Sequence, residues 1–438
     1  MPNSFIEQES KLSSRRYYIG IWIVTFCLFA FGSIMIFSST SAQQLSKGLP
    51  VMQFFVTQVA AGLAGFLFMF IFQKFNLKFL EKVIAPVGLL LALFLLACVP
   101  FAGKGENGNK SWLLIPGIGQ FQPSEFAKVA VVLWFGLRLG RCIKEGSINH
   151  IGHIFAKWES IVILLILILI IIEKDIGTLI VYLIFIVGML YLSGCTLKVM
   201  IPITILGVFV GYILMHSSDN RWSRVLATYS GECNIYSQDT LCYQVNQGLY
   251  ALGTGGIMGV GAGASRSKWG WLPENKNDFI IPVIGEELGL WGTLGVLFFL
   301  GLLIYFLFKV VARHPDPGAK MVTCGVICWL VAQIMINVGA VLRIVPVIGV
   351  TLPFISAGAS SLLAIMMALG IVLSFARTAS NADMEIVKQK MPRGVVATTT
   401  KPLQTSEIQK IEARARSANY SSAKNRRGSE NTSRRRVH

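Results

Sequence analysis

The sequence predicts an all-α polytopic membrane protein of about ten transmembrane helices, with both termini cytoplasmic and one large extracytoplasmic loop between helices 7 and 8. Composition is the first reason. Of 438 residues, 54% are hydrophobic and only 14% charged, a balance too apolar for a soluble chain of this size. Periodic length is the second. Apolar runs of about 18 to 25 residues recur, each able to cross roughly 30 Å of hydrocarbon at 1.5 Å per residue. A spanning segment must satisfy its own backbone, so these runs are helices.

Residues 1–16 are polar and mixed in charge, and no small-residue cleavage site follows the first apolar run, so that run is expected to be a retained span. In order, the spans fall at about 17–39, 52–73, 80–101, 123–141, 158–174, 176–194, 199–216, 280–310, 320–341 and 352–375. The fifth and sixth are broken only by Glu173, Lys174 and Asp175, which predicts a tight helical hairpin. Arg15, Arg16, Lys74, Lys78, Lys82, Arg138, Arg141, Lys144, Lys157, Lys309, Arg313 and Lys320 then fall on one side, which the positive-inside rule makes cytoplasmic. The loops 102–122, 217–279 and 342–351 face out, with the 173–175 turn. Three parts are therefore expected: a cytoplasmic segment 1–16, a membrane domain 17–378, and a basic, disordered cytoplasmic tail 379–438.

The net charge of +17 does not point to nucleic acid. From Arg377 onward there are 14 Lys or Arg against 5 Asp or Glu, so the tail carries about half the excess, which suits topology and anionic lipid head groups. Six of the eight cysteines lie in or beside apolar helices, where Cys acts as a small hydrophobe. Cys233 and Cys242 lie in the polar loop and are candidates for a disulfide on an oxidising side. The histidines are scattered, and no metal triad is visible.

The run 243–291 concentrates Gly, amides, cations and carboxylates between two apolar blocks. Asp278 stands where the chain enters the bilayer, close after Arg266, Lys268 and Lys276; a carboxylate there can take a proton from a sugar hydroxyl, and cations can hold a phosphate leaving group. The alternative, a helix cap, would put Pro282 at the fourth helical position, where its missing N–H begins to matter. Glu286 and Glu287 lie one or two turns into the helix, facing a polar cavity or pairing internally, with Arg343 as one partner. The glycines of GTGGIMGVGAG suit either a pyrophosphate cradle or close backbone approach in a re-entrant segment. Elsewhere, NGNKSW holds Lys110 and Trp112, and QPSEFAK holds Glu125 and Lys128, the latter at the lip of a helix with no evident need for charge. The Arg343–Ala359 stretch breaks an apolar run with prolines and glycines, as a groove-lining segment would.

QPSEFAK, the acidic turn ending DIGT, the YQ…Q…LYALGTGG…GVG…WLPE…DFI…IGEELGLWG run and GVTLPFISAG together resemble the SEDS family (shape, elongation, division and sporulation), over about residues 17–378. Within it the chain is closer to the division member than to the elongation member. The resemblance implies a peptidoglycan glycosyltransferase that polymerises lipid II with loss of undecaprenyl diphosphate, at the outer face of the bacterial cytoplasmic membrane and at the septum. It implies that Asp278 is the catalytic base. Lys268, Arg266 and a divalent cation (Mg or Mn) would steady the diphosphate, with Lys276, Gln247, Lys110, Trp112, Lys128, Asp175, Glu286 and Glu287 in contact with substrate. A class B penicillin-binding protein and other division proteins are the implied partners. The chain departs from the family pattern with Ser111 before Trp112, EKDIGT in the acidic turn, Arg343 for a usual Gly and Ala359 for another. A lipid II flippase and a non-catalytic division scaffold are the rival functions; a flippase should carry charge through the midplane on several helices.

Overall fold

The computed structural model describes residues 3–104, 111–115, 119–150, 154, 158–217, 219–229 and 240–390. The chain divides into two compact units, Met1–Val387 and Lys388–His438, and of the second only the end of a helix is described. The described residues form α1 (Asn3–Ser46), α2 (Gln53–Phe72), α3 (Leu77–Ala102), β1 (Gly103–Lys104), β2 (Trp112–Ile115), β3 (Gly119–Phe121), α4 (Pro123–Lys144), α5 (Trp158–Ile172) and α6 (Ile176–Leu192). There follow α7 (Leu197–His216), α8 (Asp219–Tyr229), α9 (Thr240–Gly255), α10 (Ile280–Arg313), α11 (Pro317–Val341) and α12 (Ala359–Lys390).

Nine of the ten expected apolar runs lie in helices over nearly their whole length, and the tenth, expected at 352–375, is helical only from Ala359, because 352–358 forms a turn containing Pro353 and Gly358. Among the described residues, seven helices are long and apolar enough to cross a membrane: α1, α2, α3, α7, α10, α11 and α12. α5 and α6 are shorter, and α4 carries Glu125, Lys128, Arg138, Arg141 and Lys144 within 22 residues. The helix ends follow local chemistry. Asp175 caps α6, accepting from the Thr178 N–H at 3.0 Å, and Asp316 caps α11, accepting from Gly318 N–H at 2.7 Å, with Pro317 at the first helical position.

α11 lies at the centre, packed on α4, α6 and α10. Gly136 and Gly140 allow the closest of these approaches: a Cβ at Gly140 would sit 2.3 Å from Gly318 Cα, and one at Gly136 would sit 2.7 Å from Val322 Cα. Such small-residue contacts let helix backbones meet where apolar burial alone gives no drive between helices. Around this seam pack Trp329, Tyr182, Phe185 and Phe375, all buried.

Beyond the late start of the last helix, the structure departs from the sequence expectations in three places. The 102–122 loop contains an antiparallel three-stranded sheet, with Lys104 opposite Trp112 and Leu113 opposite Phe121. The 217–279 loop contains two helices, α8 and α9. The tail, expected to be disordered from 379, continues helical to Lys390, because 379–390 holds no Gly or Pro to stop the preceding helix.

Candidate active site

Asp278 lies two residues before the start of α10, and it does not cap the helix: the N-cap position is Phe279, with no side-chain capping bond, and Pro282 falls inside the first turn. The carboxylate is 8% exposed. Its segment is a tight turn, in which the N–H groups of Asn277 and Phe279 donate to Glu274 O at 3.0 and 3.2 Å. Two neighbours fix that turn. Asn337 Nδ2, on α11, donates to Asp278 O at 2.9 Å and to Val350 O at 2.7 Å, while Ala357 N–H donates to Lys276 O at 2.8 Å. Burial pushes the Asp278 carboxyl up, the negative Glu274 adds to this, and its own backbone N–H and the positive Arg224 only partly oppose it, leaving it at about 7. A carboxylate titrating there exchanges protons readily at neutral pH.

Glu286 and Glu287 do different work. Glu286, 2% exposed, accepts from Ser265 Oγ, from Arg266 N–H at 3.1 Å and from Ser267 N–H at 3.2 Å. Glu287 pairs with Lys268 Nζ at 3.1 Å and accepts from Ser38 Oγ on α1 at 2.7 Å. Lys268 also donates to Gly263 O. Both glutamates are therefore fasteners that hold the 263–268 loop on α10. Lys268, expected over a diphosphate, is 4% exposed and already neutralised by Glu287. Arg343, the expected partner of a glutamate, does not take that place; it stands at φ 60°, the left-handed region that glycine enters without cost.

The glycine run serves backbone packing. α10 breaks at Gly289 (φ 69°, ψ −162°), and the groups freed there bond to the glycine turn: Val260 N–H to Glu286 O at 2.9 Å, Gly261 N–H to Glu287 O at 3.0 Å, and Leu290 N–H to Gly256 O at 2.9 Å. A Cβ on Gly255 would lie 1.9 Å from Gly285 O, one on Gly259 2.2 Å from Glu287 O, and one on Gly289 2.3 Å from Ile257 O. These N–H groups are engaged and do not form an open pyrophosphate cradle.

The other motifs meet beside this turn. Gln122 Nε2 donates to Asp175 Oδ2 at 2.9 Å, and Gln122 N–H donates to Ser360 Oγ at 3.1 Å. Gly177 packs on the Ile348 carbonyl. Burial and Glu125 raise the Asp175 carboxyl against the opposing Thr178 hydrogen bonds and Lys128. Lys128 is 1% exposed, pairs with Glu125 at 2.7 Å and lies 5.1 Å from the Trp329 ring centre, so its charge has the need that the sequence left unexplained. Both oxygens of buried Glu173 lack a hydrogen-bond partner among the described residues.

Of the remaining candidates, Lys276 Nζ lies 3.8 Å over the Phe54 ring, Arg266 is exposed, Gln247 is half-buried on α9, and Trp112 is half-buried on β2. Lys110 and Cys233 lie outside the described residues. Cys242 is disulfide-bonded, and Cys27, Cys98, Cys142, Cys195, Cys324 and Cys328 are free. Among the described residues no three His, Cys, Asp or Glu gather as a metal site. The carboxylate that bears on Asp278 among the described residues is the exposed Glu274, which is engaged by Asn277; two such groups do not by themselves make a divalent-cation site, and no step below runs through one. Arg224, Glu274 and Asn337 were absent from the sequence-derived set. Asn337 carried a faint signal, as an amide in an apolar helix.

Residues 19–381 match the cell cycle protein family of FtsW, RodA and SpoVE. The chain is 31% identical to the Bacillus subtilis "Probable peptidoglycan glycosyltransferase FtsW", covering 88% of this chain and 97% of that one. It is likewise 31% identical to stage V sporulation protein E of Bacillus subtilis, covering 81% and 95%. In fold it is similar, with a TM-score of 0.63 and 24% identity over 82% of this chain and 97% of the other, to a chain from a peptidoglycan synthase complex that coordinates polymerization and crosslinking.

Proposed function

The chain belongs to the cell cycle protein family of FtsW, RodA and SpoVE, and from this premise we propose how it acts as a peptidoglycan glycosyltransferase. Asp278 is the general base. It takes the proton of the acceptor sugar hydroxyl; the oxygen attacks the anomeric carbon of the donor with inversion, the C–O bond to the diphosphate breaks, and undecaprenyl diphosphate leaves. The substrate is lipid II. The observation that carries this reading is a buried carboxylate that caps no helix, has no ion-pair partner among the described residues and is pushed up to about 7 by its burial.

Ten spans put both termini in the cytoplasm and the 217–279 loop outside. That reading is supported by a helix in each of the ten apolar runs, the last from Ala359 onward, and by the lysines and arginines of the short loops. The protein then works at the outer face of the cytoplasmic membrane, at the division septum, with a class B penicillin-binding protein as crosslinking partner and with other division proteins. A fold shared with a chain of a peptidoglycan synthase complex supports such a partner.

The test is purified protein with lipid II and a glycan gel, wild type against Asp278→Ala. Glycan chains from wild type alone are expected. Equal chains from both would remove Asp278 from the chemistry, and leaflet exchange of labelled lipid II without polymerisation would favour the flippase.

A further inference from the structure

The turn itself supplies no cation to the Asp278 carboxylate, and among the described residues a positive charge that bears on it comes from α8. That helix was invisible as an apolar run, yet it is anchored at two points on the segment beyond α11. Tyr229 Oη donates to Ile344 O at 3.1 Å, and Arg224 Nη1 donates to Val347 O at 3.3 Å. The same segment holds the base: Val350 O and Asp278 O share the two hydrogens of Asn337 Nδ2. Arg224 and, through Asn337, the Asp278 backbone are thus both tied to one four-residue stretch, Val347 to Val350. A guanidinium has five N–H donors in a fixed fork, and the bond to Val347 O uses one.

We propose that Arg224 is a positioning residue of the site, supplying, from α8, the counter-charge against which Asp278 gives up and receives its proton. This rests on Asp278 being the base. The charged groups that bear on Asp278 are few: Glu274, in its own turn, opposes ionisation, and Arg224 favours it. The facing residue of α11 is the neutral Asn337, and the 352–358 segment, LPFISAG, has no ionisable side chain. Lys276 is directed over Phe54, and Lys268 is neutralised by Glu287. Among the described residues Arg224 is the cation that bears on Asp278, and its anchoring to Val347 O keeps it on the stretch that Asn337 links to Asp278.

The experiment is the pH dependence of lipid II polymerisation from about pH 5.5 to 9 for wild type, Arg224→Gln, Arg224→Lys and Asp278→Ala. With Arg224→Gln, the pH at which activity falls on the acid side should move up by about one, an effect of the size a nearby opposite charge produces. Arg224→Lys should restore most of that displacement. An acid limb that stays in place in Arg224→Gln, whatever the loss in rate, overturns the inference. Polymerisation by Asp278→Ala overturns the underlying reading instead, so the two failures are distinguishable. A second measurement needs no activity: labelling of Asp278 by a hydrophobic carbodiimide, which attacks the protonated carboxyl, followed by mass spectrometry. Labelling should persist to a pH about one higher in Arg224→Gln, and identical labelling curves would again refute the role.

Discussion

Asp278 and the Glu286–Glu287 pair stand eight residues apart at the start of one helix, and they have opposite fates. Glu286 accepts three hydrogen bonds and Glu287 holds Lys268 and Ser38. Asp278 is as well buried but receives no such set, and burial lifts its carboxyl to about 7. Carboxylates whose lone pairs are filled hold a loop in place; one whose lone pairs are kept from partners stays available for a proton. The two arrangements are separate: the fasteners hold residues 265–268, whereas the Asp278 turn is held by Asn337 and Ala357.

The strongest attempt to break this contrast is Asp278→Ala. Polymerisation should fall by roughly 10²- to 10⁴-fold, the usual worth of a general base, with no loss of thermal stability. Glu287→Ala should do the reverse in kind. It leaves the Lys268 ammonium buried without its counter-ion, which costs about 3 to 5 kcal/mol, read as a lower melting temperature. Replacing both partners by apolar residues, Lys268→Met with Glu287→Leu, should recover much of that stability. If the single and double changes destabilise alike, the pair is not the fastener described here.

A smaller effect tests the base through stability. An unfolded aspartate loses its proton near 4, whereas Asp278 keeps its proton up to about 7. Between these values folding takes up a proton, so the native state loses stability as pH rises through that window. Asn neither gains nor loses there. The melting temperature of Asp278→Asn should therefore exceed that of wild type by a margin that widens from about pH 4 to 7 and is flat above; a margin independent of pH would contradict it. The smallest expected effect is a control. Arg141 and Glu81 form a 2.7 Å ion pair, each about one-third exposed, so Arg141→Ala should cost about 0 to 1 kcal/mol.

How much of this could be read from sequence depended on range. Hydrophobic runs are local, and each of them holds a helix, although the last begins at Ala359 and not at 352. Asp278 was also legible, because Pro282 argues locally against a cap. The Lys268–Glu287 pair was not: its partners are 19 residues apart and meet only after the glycine turn folds back on α10, so Arg343 seemed as good a partner. Arg224 was hidden for a related reason. α8 is a short amphipathic helix in a polar loop, with nothing in its own residues to say that Val347 and Asp278 lie beside it. The little sheet at 103–121 left almost no signal, since strands of two to four residues show too few alternations to read.

The glycines of the turn have a consequence for genetics. At Gly255, Gly259 and Gly289 even a methyl group would overlap a backbone atom of the opposing segment. In a saturation screen scored by growth, these three positions will tolerate as little as Asp278, though none of them meets a sugar. A map of intolerance alone would draw the catalytic centre too wide, and only stability measured beside activity would shrink it to its true size.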